Sequence, residues 1–500
     1  MNLRIKLTAA ALLAAMSLTT FAACSSSDSG NTPDAGTTAA NGGDTAAETT
    51  TEFRYTPDLE ERDLGGFKMT VFQRSEEDSP NFYEPGFYTA EQSGDMVRDE
   101  IYNRNMLLTE KYNFTVEEIA NESRDTVDSK IISTVLAGDD TYDVVVMGPN
   151  YFAKYMQQGL VIDLNTLDNF NFDAEWWYSD LNAGLSVDNF LPMTVGAHML
   201  HCKNGLYMLL FNKNLAKDYG VDSNALYQKV RDGQWTADEM IATVNKVASK
   251  DLNGDGNIDN NDLYSFGTEN YGIHTLTLGS GFLIASKDKD DIPTITMYNE
   301  NNVEILNKYM QLFGDHNKTC VTQAIKGVDS VWTTATNMWK NGQMFMRMSD
   351  LGDGMREIEY DYGVLPIPKY TESQEEYYHT ASIWNAPVMG IPKTCSDADK
   401  TSYICEIMAC ESLNGLTDIF YENYLTTKLV RDDESIEMLK IVHGSLYFDV
   451  GSVFNWNSML NILYTISQSG ENNFASAYES KASGAEQALQ KSLDAIAAAN

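Results

Sequence analysis

The stretch AGDDTYDVVVMGPNYFAKYMQQGLVIDL, residues 137–164, decides the fold. Gly138 falls where a preceding helix needs a left-handed residue to end it. Asp143 then opens the apolar run Val144–Met147, which reads as a buried strand. A polar loop follows, then an amphipathic helix that closes on Gln158, Gly159 and Leu160. Upstream, FKMTVFQR (67–74) predicts a short strand with a turn-rich, aromatic loop behind it. Val97, Ile101, Leu108 and Tyr112 recur at helical spacing, and FTVEEI (114–119) predicts a second strand. Val127, Ile131 and Val135 share one face of a second helix. Strand, helix, strand, helix, strand is the order of a parallel sheet. Ligands of such sheets sit off the carboxyl ends of the strands, here the loops after Phe72 and after Met147.

The bulk of the chain bounds its partners. It has 500 residues and a formal net charge of −37, from 72 acidic against 35 basic side chains. Nucleic acid needs a basic footprint and is excluded as a partner. An anionic guest is repelled at long range unless a local basic pocket offsets the field. Residues 1–23 have the charged, apolar, small-residue order of a secretory signal. Cys24 follows Phe-Ala-Ala as in a bacterial lipobox, which implies a lipidated Cys24 and an anchor to the cell membrane, although Phe21 stands where such signals carry Leu. Residues 24–56 are poor in large apolar side chains and read as a flexible tether. The remaining ~440 residues exceed one core, so two lobes are expected. Cys202, Cys320, Cys395, Cys405 and Cys410 form no CxxC and read as small buried apolar residues.

The 137–164 pattern resembles the first lobe of the bacterial extracellular solute-binding proteins of ABC importers, the maltose-binding-protein-like, family 1 type. Four more segments fit in the same order: LYMLLFNKNLAKDYGV (206–221), GQWTADEMIATVNKV (233–247), MWKNGQMFM (338–346) and DYGVLPIPK (361–369). In the second of these, Thr236 can cap a helix with Glu239 three residues on. The resemblance implies an α/β fold of two lobes, the type II periplasmic-binding-protein architecture, joined by crossover segments and closing on a ligand. It places the first lobe at 63–205 plus 365–412 and the second at 206–364 plus 413–500. It also implies a monomeric, lipid-anchored receptor that hands its solute to an ABC permease outside the cytoplasm, without catalysis.

DLNGDGNIDNND, residues 251–262, has the spacing of a calcium loop. Asp251, Asn253, Asp255, Asn257, Asp259 and Asp262 occupy positions one, three, five, seven, nine and twelve, with Gly256 at the sharp turn and Ile258 facing inward. Asp262 stands where an EF-hand has Glu. A single such loop predicts a structural clamp rather than a sensor.

Aromatic faces and planar polar groups grip sugars, so the expected guest is a neutral sugar or short oligosaccharide. Trp384 and Trp456 lie in segments that resemble cleft-lining ones, while Trp176, Trp177, Trp332 and Trp339 read as core. Gln73, Arg74, Asn150, Tyr151 and Asp350 follow strand ends and are the expected polar contacts. His198 and His201 lack the intervening Glu of a zinc motif and read as ordinary crossing-segment residues. A surface glycoside hydrolase or lyase and a peptide receptor are the alternatives, the first because a carboxylate pair among 72 acids is not visible in sequence.

Overall fold

The computed structural model describes residues 54–352, 355–427 and 429–499. The signal segment, Cys24 and the tether up to residue 53 lie outside the described residues. The expected tether nevertheless ends too late. Arg54 already pairs with Glu411, and the Tyr55 N–H donates to Asn414 Oδ1 at 2.7 Å.

The first half of the chain folds as its periodicity predicts. Strand β1 (Phe67–Arg74), helix α1 (Met96–Tyr112), β2 (Phe114–Glu122), α2 (Arg124–Ala137), β3 (Val144–Met147) and α3 (Pro149–Gln157) follow in order. β1 lies between β2 and β3, parallel to both, with Phe67 opposite Phe114 and Val71 opposite Val144. Asp143 is needed at the entry to β3, where its carboxylate accepts the Thr70 N–H at 2.7 Å and keeps a β1 donor satisfied. Gly138 ends α2 at φ 77°. Gly159, at φ 64°, turns the chain after α3 so that Leu160 is buried.

The second sheet is built from β4 (Met208–Asn212), β5 (Tyr264–Thr268), β6 (Thr319–Val321), β7 (Met344–Ser349) and β8 (Tyr362–Leu365), in the order β8-β4-β7-β5-β6. All residues of β4 and β7 are buried, so both faces of this sheet are covered by helices. The Asn212 side chain caps the next helix by accepting from the Asn214 and Leu215 N–H groups, which explains the Asn-Lys start read in the sequence. Thr236 caps its helix through the Glu239 N–H, as predicted. At Gly363 a Cβ would stand 2.3 Å from the Tyr227 hydroxyl, so β8 and its flanking helix meet only over glycine.

The chain then returns. β9 (Val388–Gly390) pairs antiparallel with β3 and completes a first sheet of order β9-β3-β1-β2. The segments joining the two sheets meet side by side. The Tyr207 N–H donates to Thr380 O, the His379 N–H to Ser445 O, and the Tyr447 N–H to His379 O, at 2.9, 2.9 and 2.7 Å. Four other helices matter below: α4 (Gly272–Gly279) and α5 (Val331–Lys340) flank the second sheet, α6 (Ala398–Leu413) packs on α1, and α7 (Phe474–Ala499) closes the chain. Helix Leu416–Thr426 also packs on α1, whereas Asp433–His443 packs on β8. The chain therefore leaves the first lobe after residue 426, later than the break expected at 412. The five cysteines among the described residues are free and buried, as predicted.

Candidate ligand-binding cleft

A cavity of about 500 Å³ lies between the sheets, where their strands end. The strands contribute through the loops at their carboxyl ends, as the parallel topology requires, and the first turns of helices and the crossing segments add the rest. The loop after β1 brings Asn81 and Phe82, and the first turn of α2 brings Arg124. The end of β5 brings Glu269, Asn270 and Tyr271, and the end of β7 brings Ser349 and Asp350. The crossing segments add Tyr207 and residues 381–385.

The floor of the second-lobe side is a run of aromatic rings. Tyr207 stacks on Tyr271 with centroids 4.4 Å apart and planes 19° from parallel. Tyr271 is near-parallel to Trp332, with centroids 6.2 Å apart. Trp332, in the first turn of α5, is 54% exposed, a large apolar face left open at the cavity. On the opposite wall Trp384 is half-buried and donates its indole N–H to the Tyr464 hydroxyl.

Beneath the rings lies a buried ion pair. Arg347 Nη2 donates to Glu269 Oε1 at 3.0 Å, and the Tyr271 hydroxyl donates to Glu269 Oε2 at the same distance. The pair orients Tyr271 and fixes the ring stack. Arg347 Nε is buried and has no acceptor among the described residues. His274 bonds Ser452 Oγ through Nε2 at 2.8 Å, and burial lowers its pKa to about 4, so it is neutral.

The two lobes approach each other at one edge. A Cβ on Gly352 would stand 3.3 Å from the Asn81 side chain, so the loop after β1 meets the loop after β7 there. Beyond this partition is a second cavity of about 510 Å³, lined by Arg98, His201 and Arg356 among others. It is as large, but it has no stacked aromatic platform, and the first cavity is the better ligand site on chemistry.

The structure sorts the sequence-predicted residues. Trp384 and Asp350 line the cleft. Arg74 lies just outside it, in the wall of an adjoining cavity. Gln73 is fully buried, donating to Glu84 O and Glu118 Oε1 while its Oε1 accepts the Glu84 N–H. It braces the loop after β1 and has no donor or acceptor for a guest. Asn150 is spent on Val453 O at 2.7 Å, tying α3 to the second lobe. Tyr151 packs on the hydrophobic core beside Lys154 and lines none of these cavities. Trp456 is core: it is 2% exposed, stacks on Phe454 and donates to Ser492 Oγ at 2.9 Å. Trp176 and Trp177 both donate to the buried Glu406, and Trp339 is buried, as read. His198 is a neutral core ring against Phe87 and Trp177.

Sequence reasoning missed Tyr207, Glu269, Tyr271, Trp332 and Arg347. Glu269 to Tyr271 directly follow β5, so the strand-end rule applied to the second lobe would have found them. Nothing in the sequence separates Trp332 from Trp339.

In the 251–262 loop, Gly256 has φ 87° and Ile258 packs on the core, as the calcium-loop spacing predicts. The carboxylates, however, bond the loop's own backbone. Asp251 accepts from Gly254 and Gly256, and the buried Asp262 accepts from Leu252 and Asp259. Among the described residues no three His, Cys, Asp or Glu side chains gather as a metal cage. The oxygen donor set suits a hard divalent cation, but loading it requires these side chains to turn inward.

No protein-family model matches the chain, and neither does any curated protein. Solved structures do match. The ABC substrate-binding protein Lmo0181 of Listeria monocytogenes, in complex with cycloalternan, is 14% identical, with 86% of this chain and 98% of that chain covered at TM-score 0.50. The sugar-binding protein MalE of Xanthomonas citri is 11% identical over 86% and 97%, at TM-score 0.52. UgpB of Mycobacterium tuberculosis, in complex with glycerophosphocholine, is 14% identical over 86% and 98%, at TM-score 0.52. The chain therefore has the two-lobed α/β fold of the ABC substrate-binding proteins. Among the described residues no helix is long and apolar enough to cross a membrane.

Proposed function

We propose that the chain is the substrate-binding receptor of an ABC importer and that its cleft captures a sugar or short oligosaccharide by lobe closure. The carrying observation is the Tyr207–Tyr271–Trp332 ring stack, open at Trp332 and set between two lobes. Such faces pack on the C–H patches of a pyranose, while Asp350 and Ser349 face its hydroxyls. Neighbours of the same fold include a sugar-binding protein and one holding cycloalternan, which supports the same guest class. Closure needs only a guest that binds the closed form better than the open one.

A hydrolase is disfavoured because Glu269 is committed to Arg347 and Tyr271, which deprives the cleft of its best-placed acid. A thermal-shift screen against oligosaccharides, amino acids and peptides tests the reading. Saccharides raising the melting temperature and recovered intact are expected; cleavage, or a shift with peptides alone, contradicts it.

The anchor and the clamp complete the proposal. Cys24, acylated, holds the receptor to the cell membrane, a reading supported by the leader sequence and testable by metabolic labelling with a palmitate analogue. Calcium occupies the 251–262 loop, supported by the ligand spacing and the left-handed Gly256. Adding calcium to chelator-treated protein raises the melting temperature if this is right and leaves it unchanged if not.

A further inference from the structure

Two arginines meet in the wall of the cavity that adjoins the cleft. Arg74, the last residue of β1, is 2% exposed. Its Nη2 donates to the Asn385 carbonyl at 2.7 Å and its Nη1 to Asn385 Oδ1 at 3.3 Å. Arg124 Nη1 donates to the same Oδ1, also at 3.3 Å. Two guanidinium groups thus converge on one neutral amide oxygen. Among the described residues Arg74 has no ion pair with a carboxylate; burial, and after it the Arg124 charge, lowers its pKa to about 10. Among the described residues Arg124 pairs only with Asp125, an 81% exposed and solvent-screened carboxylate. A third positive element points the same way. The N-cap of the 14-residue helix α2, Ser123, makes no side-chain bond to a helix N–H; its Oγ meets Thr126 Oγ1 at 3.0 Å, and the exposed Asp125 stands in the first turn.

These groups line one space. Arg74, Ser123, Arg124 and Asn385 border a cavity of about 440 Å³. It shares Asn81, Phe82, Arg124 and Asn385 with the aromatic cleft. Two acids also border it: Asp78 accepts from Ser75 Oγ at 3.1 Å, and the exposed Asp125 pairs with Arg124 Nε at 3.0 Å. Arg74 is buried and Arg124 partly exposed; like charges around a neutral acceptor repel, and an oxyanion between the two forks and the helix N-terminus relieves that repulsion.

We propose that Arg74, Arg124 and the uncapped N-terminus of α2 form an oxyanion subsite at the edge of the cleft, and that it holds the carboxylate or sulfate ester of an acidic saccharide. The proposal rests on the saccharide reading of the cleft and sharpens it. It replaces the neutral solute expected from net charge: the basic pocket that offsets the long-range field is present.

The test is calorimetric titration of the purified protein with inorganic sulfate and with a matched set of oligosaccharides: a neutral one, its uronic-acid counterpart and its sulfated counterpart. At least one acidic congener binds about tenfold or more tighter than the neutral one, and added salt narrows the gap. Which acidic congener wins tells carboxylate from sulfate. Arg124→Gln brings acidic and neutral congeners within about twofold, and Arg74→Lys, which keeps the buried charge but loses the fork, weakens the preference. Equal affinity for neutral and acidic congeners overturns the subsite and leaves the saccharide receptor standing. Sulfate binding that Arg124→Gln abolishes, with no saccharide bound at all, keeps the subsite and overturns the saccharide reading. Silence towards every probe overturns both.

Discussion

Trp332 and Trp456 show how one residue type serves two ends. Trp332 is open at the end of a ring stack, so its truncation removes a contact face and little packing. Trp332→Ala should weaken saccharide binding about tenfold, the worth of one aromatic contact, with the melting temperature nearly unchanged. Trp456→Ala should instead cost about 3–5 kcal/mol of stability, because it empties a buried site and removes one donor to the Ser492 hydroxyl. Calorimetry and urea denaturation of the two variants check this; the reverse pattern would move the guest to Trp456. The sequence could not tell them apart. Trp332 and Trp339 lie two helical turns apart on one face of α5, and both read as core. Only the helix's first turn, running past the packed lobe into the cleft, makes Trp332 different. Thr236, Asn212 and Gly138 were legible because a cap or a left-handed turn is decided by two or three neighbours in the chain.

At the scale of elements, the crossing segments carry buried bases. His379 Nε2 accepts the Ile367 N–H at 2.8 Å, so the ring proton lies on Nδ1, 2.7 Å from Ser445 Oγ. A second proton on this ring would break the Ile367 bond. Burial lowers its pKa from 6.5 to about 3, and burial with the Lys203 and His379 charges does the same to His443. Below pH 6.5 the unfolded chain takes up protons that the folded chain refuses until about pH 3. Stability from these groups is therefore complete above pH 6.5 and lost on acidification through that window, by about 1.4 kcal/mol per pH unit for each histidine. Urea midpoints measured from pH 7 to 4 should fall steeply, and less so in His379→Asn; a flat profile would contradict the burial of these rings. The elements themselves were legible from apolar periodicity, including the βαβαβ order of the first sheet. The lobe boundary was not, because helices Ala398–Leu413 and Leu416–Thr426 differ in partner only through long-range packing.

At the scale of the molecule, two sheets, joined by strands that bond one another side by side, form halves that can rotate about those crossings. The cleft draws on segments near residues 81, 124, 207, 270, 332, 349 and 384, which the chain order scatters and only the topology gathers. That is why the fold was readable and most of the site was not. A bound saccharide should reduce the radius of gyration at constant mass, read by small-angle scattering. The central claim, capture of a saccharide between the lobes without chemistry on it, is tested most directly by the thermal-shift screen with the ligand then recovered for mass analysis. At least one neutral or acidic oligosaccharide should raise the melting temperature by several degrees and come back intact. No shift with any member, or a shortened saccharide, would contradict the account.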